Sequence, residues 1–366
     1  MEHQWAPLFW VAALAYLILA SYGLARSPID SLLLDDYGKG ALKYAYGAVA
    51  VCVTLVVAVY SRSAARRPIG TVLVLSVVCS VMFLIALLLL RGAGVPGSSY
   101  ALYIWKDVYV VVLVELVWTL ANSAFKQNTA AWAYGFFCVV GTLGDMSGSF
   151  LAQSLAHKLG TAQLLWIILP ILAATAYVGR RAAQACGWPA PKSDSGLGGV
   201  LDIVMHSRAI RLMLALVVVI QISTTLIDYN FRATALNAYP LLDDRTVIFG
   251  RVDMAISIAS LSLQALSGVL AAILGIRILV ILLPILVGVA AIYYAIHPAF
   301  VSAAILKVVN KSLDYSLFRT SKELLYRPLS YEEKTQGKAA VDLFGYRVAK
   351  GGATALLVAL SGSVAL

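Results

Sequence analysis

Apolar runs, not alternation, order this chain. Stretches long enough to cross a bilayer, about 17–25 residues each, fall near 7–25, 41–60, 70–90, 101–124, 133–156, 162–178, 211–231, 246–273, 276–295, 298–318 and 338–362. Their lengths predict about eleven transmembrane helices, because in lipid only elements that satisfy their own backbone hydrogen bonds survive. Sustained period-two alternation is absent, which argues against a barrel. The pattern therefore reads as all-α, a polytopic membrane helical bundle.

One stretch breaks the pattern. Residues 179–210, GRRAAQACGWPAPKSDSGLGGVLDIVMHSRAI, are rich in Gly, Pro, Ser and charge, and 197–210 has the makings of a short surface helix. They divide the chain into an N-terminal half, 1–178, with six spans, a cytoplasmic linker, and a C-terminal half, 211–366, with five. Six helices, a linker and a second set is the facilitator-like layout of a secondary transporter with two pseudo-repeated halves. That layout has twelve helices, so the last is read as absent from this chain. Faint internal repetition agrees: Ser123-Ala124-Phe125-Lys126 closes the fourth run and Ser316-Leu317-Phe318-Arg319 the tenth. Arg26 and Asp30 in the first helix correspond to Asp228 and Arg232 in the seventh, each an acid–base pair at i,i+4.

Composition sharpens this picture. Hydrophobic residues make up 61% of the chain, and mean hydropathy is +0.86, far above that of a soluble domain. A net charge of +10 would suggest nucleic acid in a soluble protein. Here the basic residues gather in alternate loops: Arg62, Arg66 and Arg67; then Arg180, Arg181, Lys192, Arg208 and Arg211; then Arg319, Lys322, Arg327, Lys334 and Lys338. That distribution satisfies the positive-inside rule with a cytoplasmic N-terminus. The expectation is a multi-pass inner-membrane protein in the lipid bilayer, acting as a monomer, with no nucleic-acid partner. Cys52, Cys79, Cys138 and Cys186 have neither disulfide nor metal-ligand spacing. The first apolar run follows Glu2 and His3 without a basic leader, so it reads as a retained helix.

Chemistry is sought where charge enters the apolar runs, since an ion at mid-membrane costs at least a few kcal/mol unless paired, wetted or bound. Glu115, Trp118, Asn122 and Lys126 form one stripe of the fourth helix, and Gln221, Thr225, Asp228 and Arg232 one of the seventh. The tenth carries Lys307, Lys311 and Asp314; the eleventh carries Lys338, Asp342 and Arg347. Any single pair can be a packing clamp. Mixed-sign stripes on four helices from both halves exceed what clamping needs, and several cations together suit a phosphorylated anion. Enzyme signatures are missing: no GxxxxGK[ST], HExxH or GxSxG, and His3, His157, His206 and His297 are scattered. The chain is read as no enzyme, with no cofactor and no metal. Gly141, Gly144 and Gly148 read as helix-packing notches.

The segment NKSLDYSLFRTSKELLYRPLSYEEKTQGKAAVD, from Asn310 to Asp342, resembles the signature of the ATP/ADP translocase family of bacterial endosymbionts and plastids, a family distantly related to the major facilitators. VLVELVWTLANSAFKQNT, from Val112, and LIDYNFRATALNAYP, from Leu226, resemble two further family motifs, with a looser match around ARSPIDSLLLDDYG. The resemblance implies a twelve-helix antiporter that exchanges nucleotides without hydrolysing them. It implies critical charges at Glu115, Asp228 and Lys322, with Arg26, Asp30 and Arg232 nearby. Ile29 stands where the family has a cation, and Asp228 is shorter than the family's Glu. One lost positive charge implies binding of a highly charged nucleotide weaker by ~1–3 kcal/mol.

The substrate-binding set expected is thus Arg26, Asp30, Glu115, Asp228, Arg232, Lys311 and Lys322, around a nucleotide or other phosphorylated or anionic metabolite moved by alternating access. Glu115 and Asp228 are expected to pair with the cations until substrate displaces them. The alternatives are a proton-coupled carrier or exporter of a non-nucleotide, and a membrane interaction module whose charges are clamps.

Overall fold

The computed structural model describes residues 5–64, 66–125, 127–187, 204–326, 329 and 337–363. Among them are eleven long helices and no strand. They are α1 (Trp5–Tyr37), α2 (Gly40–Ala64), α3 (Ile69–Gly92), α4 (Ser98–Ala124), α5 (Gln127–Leu159), α6 (Thr161–Ala185) and α7 (Arg208–Ala238). The helical stretch Leu242–Ile296 breaks at Gly275 into α8, 242–274, and α9, 276–296. There φ is 75° and ψ 160°, a conformation open only to glycine. The helix α10 (Phe300–Leu313) continues through a π turn, Asp314–Phe318, into Arg319–Leu325, and α11 is Lys338–Ser363.

The helix number agrees with the sequence pattern. Among the described residues, α1, α2, α3, α5, α6, α7, α8 and α9 each hold a stretch long and apolar enough to cross a membrane. The other three, α4, α10 and α11, are rich in ionisable residues: Lys106, Asp107 and Glu115 in α4, for example. Much of the linker, 188–203, lies outside the described residues, as do Lys126, Lys334 and the side chains of Lys338, Asp342 and Arg347.

By contact the chain forms two compact units. The first is Met1–Gly38, Cys52–Asp194 and Leu241–Met254; the second is Lys39–Val51, Ser195–Pro240 and Ala255–Leu366. Two helices are divided between the units: the start of α2 belongs to the second and the start of α8 to the first. Small residues account for both. Gly47 of α2 lies so close to Thr354 of α11 that a Cβ on it would stand 3.1 Å from the threonine methyl. Gly250 of α8 abuts the Ser149 carbonyl of α5, 3.0 Å from where its own Cβ would be.

In the first unit α1 is buried almost all round, packing on α4, α5 and α6. Leu14, Ile18, Leu24, Leu32 and Leu33 are fully enclosed. The glycines of α5 bring it there. A Cβ on Gly144 would lie 2.3 Å from the Tyr16 carbonyl oxygen, and one on Gly148 2.1 Å from that of Ala20. Steps of four along both helices match in the same direction, so α1 and α5 run parallel. In lipid, where apolar surface gains nothing by meeting apolar surface, such close approach is what binds helices.

In the second unit Ile210, Met213, Val217 and Ile220 form the apolar face of α7. They pack with Leu279 and Leu283 of α9, Leu313, Leu317 and Phe318 of α10, and Val341 of α11. Further along α7 the same side turns polar at Thr224, and the adjoining charges begin there.

Candidate substrate site

Each unit holds its own set of buried ions. In the first, the Arg26 Nε donates to Asp253 Oδ2 at 2.9 Å and its Nη2 to Asp145 Oδ2 at 3.4 Å. Ser27 Oγ adds a bond to Asp253 at 3.2 Å. One turn on, Asp30 meets Lys106 of α4 at 3.2 Å, and that ammonium also meets Asp107 at 3.1 Å. Lys106 is 1% exposed and stands 3.9 Å from the Tyr103 ring centroid. Closer to the end of α1, the fully buried Arg245 of α8 donates to Asp35 at 2.9 Å and to the Ser31 carbonyl at 3.0 Å. Arg26 and Asp30 are therefore neighbours in one polar seam along α1. Ile29 between them is fully buried, so this position belongs to the apolar packing of α1.

Glu115 lies elsewhere in that unit, on an exposed face of α4 beside Tyr60 and Thr119. Its stripe continues to α5, where Tyr134 donates to Asn122 Oδ1 at 2.6 Å and meets Trp118 edge-on at 5.5 Å. Arg26 and Asp30 thus lie along one seam but bind different partners, Asp145 and Asp253 for the arginine and Lys106 for the acid.

The second unit brings four of the expected residues onto two helices. Asp228 of α7 stands 3.5 Å from Lys307 and 3.6 Å from Lys311 of α10. A turn earlier on α7, Asn310 Nδ2 donates to Thr224 Oγ1 at 3.0 Å. Earlier still, Gln221 Nε2 donates to Asp314 Oδ2 at 3.2 Å. Each step back along α7 is matched by a step forward along α10, so the pair is antiparallel and its seam is polar for about two turns. Arg232, buried, donates to Tyr46 Oη at 2.9 Å. Lys322, also buried, lies past the π turn within the field of Asp314.

Sequence reasoning placed Asp228, Arg232, Lys311 and Lys322 in the set and left Lys307 on a stripe. It missed Lys106, Asp145, Asp253, Arg245 and Tyr46. A lone acid in GTLGDMSG, within a helix that must approach α1 backbone to backbone, was a signal for Asp145. Pairing across 227 residues, as Arg26 makes with Asp253, leaves no local signal.

Eight helices long and apolar enough to cross a bilayer, among the described residues, mark a multi-pass membrane protein. Solved structures agree in fold. A mutant of the nucleoside transporter NupG superposes with a TM-score of 0.71 at 10% identity, over 95% of this chain and 90% of that one. A bacterial homologue of the iron transporter ferroportin, in an inward-facing state, gives 0.67 at 13% identity over 97% and 91%. In sequence, the model of the family TLC ATP/ADP transporter matches residues 295–364, the stretch that holds α10 and α11. The chain is similar to ADP,ATP carrier protein 3 of Rickettsia felis, 23% identical over 69% of this chain and 61% of the relative. It is likewise similar to ADP,ATP carrier protein 4 of Rickettsia felis, 24% identical over 71% and 58%. The resemblance read from the Asn310–Asp342 signature is thus upheld. The chain spans about three fifths of the length of these relatives.

Proposed function

We propose that the protein is a secondary carrier that moves a nucleotide or another phosphorylated or anionic metabolite by alternating access, by exchange and without catalysis. The observation that carries this is the α7–α10 seam, where Lys307 and Lys311, both inside the stretch similar to ATP/ADP transporters, share Asp228 of α7. Cations kept within a membrane helix need a reason, and an anionic cargo supplies one. The binding set is Arg26, Asp30, Glu115, Asp228, Arg232, Lys311 and Lys322, drawn from the halves 1–178 and 211–366 that the linker 179–210 joins. The protein works as a monomer in the bacterial inner membrane with its N-terminus in the cytoplasm.

The test is uptake of labelled ATP and ADP into proteoliposomes, either preloaded with unlabelled nucleotide or empty. Uptake into preloaded vesicles alone supports exchange; no uptake of any phosphorylated compound by folded protein overturns the reading. A second reading, coupling to protons, draws on Lys106, which serves two carboxylates, Asp30 and Asp107. Uptake into empty vesicles driven by a pH gradient would favour it.

A further inference from the structure

Arg251 of α8 is a cation outside the ion sets described above. It stands within the apolar span Leu242–Ser267, and its side chain is exposed. The acids closest to it along α8 are engaged elsewhere. Asp253 is held by Arg26 and Ser27, and Asp244 stands 3.3 Å from His157 of α5. With the span centred on a ~30 Å hydrocarbon core, the arginine's Cα lies about 10 Å below the nearer edge. A guanidinium left in lipid at that depth is costly, so one kept there must be paired, wetted or bound.

The surface around it is polar. Asp244 precedes Arg251 by two turns, so both occupy one side of α8. Gln153 of α5 runs beside that side. Its Cβ is 3.0 Å from where a Cβ on Gly250 would lie, and its amide donates to Met254 Sδ at 3.0 Å. Imidazole, carboxylate, amide and guanidinium thus gather where α5 meets the start of α8, a surface that suits water and not acyl chains.

We infer that this side of α8 lines a water-filled path into the membrane, and that Arg251 is the residue on it that favours anions. This rests on the anionic-cargo reading above and adds a residue outside its binding set. A fixed guanidinium beside such a path raises the local concentration of anions and repels cations. Its rigid fork of donors can also engage a carboxylate or phosphoryl group through two parallel bonds. Among the described residues no carboxylate holds Arg251, so a passing anion gains this contact without breaking an ion pair.

Two measurements test the two parts. Arg251→Cys in proteoliposomes is exposed on both sides to an anionic, membrane-impermeant methanethiosulfonate, and modification is read from the mass of the peptide that holds residue 251. Val289→Cys, on an exposed apolar stretch of α9, is the comparison. Arg251→Cys should react about tenfold faster or more, because the reactive thiolate forms in water and not in lipid. Equal rates overturn the aqueous face. Exchange of labelled ATP and ADP tests the charge. Arg251→Gln should raise the half-saturating nucleotide concentration about tenfold at an unchanged melting temperature, while Arg251→Lys keeps most of the affinity. Exchange by Arg251→Gln that matches the unaltered protein overturns the anion role, as does a loss that only follows a fall in melting temperature. Unaltered protein that exchanges no phosphorylated compound overturns the cargo reading instead, and the labelling rates then decide the aqueous face by themselves.

Discussion

Substituting Gly148 by Ala tests how the first unit is held together. The added Cβ would lie 2.1 Å from the Ala20 carbonyl oxygen and 2.7 Å from the Leu24 amide nitrogen. The first distance is 1.3 Å short of ordinary contact at 3.4 Å, and both neighbours are backbone, so no side chain can swing aside. One helix must move off the other. Overpacking of this kind costs about 1–3 kcal/mol, against a gain of about 1 kcal/mol from replacing a helical glycine by alanine. Gly288, in α9, provides the internal control, because nothing lies within 4 Å of its would-be Cβ. Gly288→Ala should therefore be neutral or stabilising by up to about 1 kcal/mol. The difference between the two alanines is the quantity to measure, by thermal unfolding in one detergent. Equal melting temperatures would refute the claim that α1 and α5 are bound by backbone approach.

Other outcomes follow from the same geometry. Asp253→Asn should lower the melting temperature more than Asp145→Asn, because Arg26 meets Asp253 at 2.9 Å and Asp145 at 3.4 Å; breaking a buried pair costs about 3–5 kcal/mol at its upper end. Gly275→Ala should destabilise by roughly 1–3 kcal/mol, since its positive φ is closed to a side chain, and a matched loss at Gly351 would argue against that cause. Burial pushes the Cys186 thiol, just past α6, up to about 11. The reactive thiolate is accordingly scarce near pH 8, and alkylation of folded protein should speed up about tenfold per pH unit toward that value; a rate already level by pH 9 would contradict it.

The helices were legible because lipid leaves one solution to a long apolar run, and even the break at Gly275 fell between two runs. The family likeness was legible for a different reason, a dense motif from Asn310 onward. The site was read in part. The stripe on α7 and the stripe on α10 each follow helical spacing, so both could be found singly. Their registration, which sets Asp228 between Lys307 and Lys311, depends on how two helices distant in sequence lie together. The i,i+4 spacing of Arg26 and Asp30 suggested a pair, yet Arg26 reaches α5 and α8 while Asp30 is held by Lys106 of α4. Periodicity fixes which side of a helix a charge occupies, but the partner comes from whichever helix packs on that side.

The π turn at Asp314–Phe318 acts on everything downstream of it. Such a turn accommodates one residue more than an α-helix would, and each residue of an α-helix advances about 100° around the axis. Eight positions separate Asp314 from Lys322, which in an uninterrupted helix would set them about 80° apart. With one residue absorbed, the offset falls to about two full turns, and the lysine returns to the side of the acid. Lys322 thus owes its azimuth to a local winding defect five residues long. Removing a single residue from that defect would rewind the helix and swing the whole stretch 319–325 by about 100°, with no side chain of Lys322 altered.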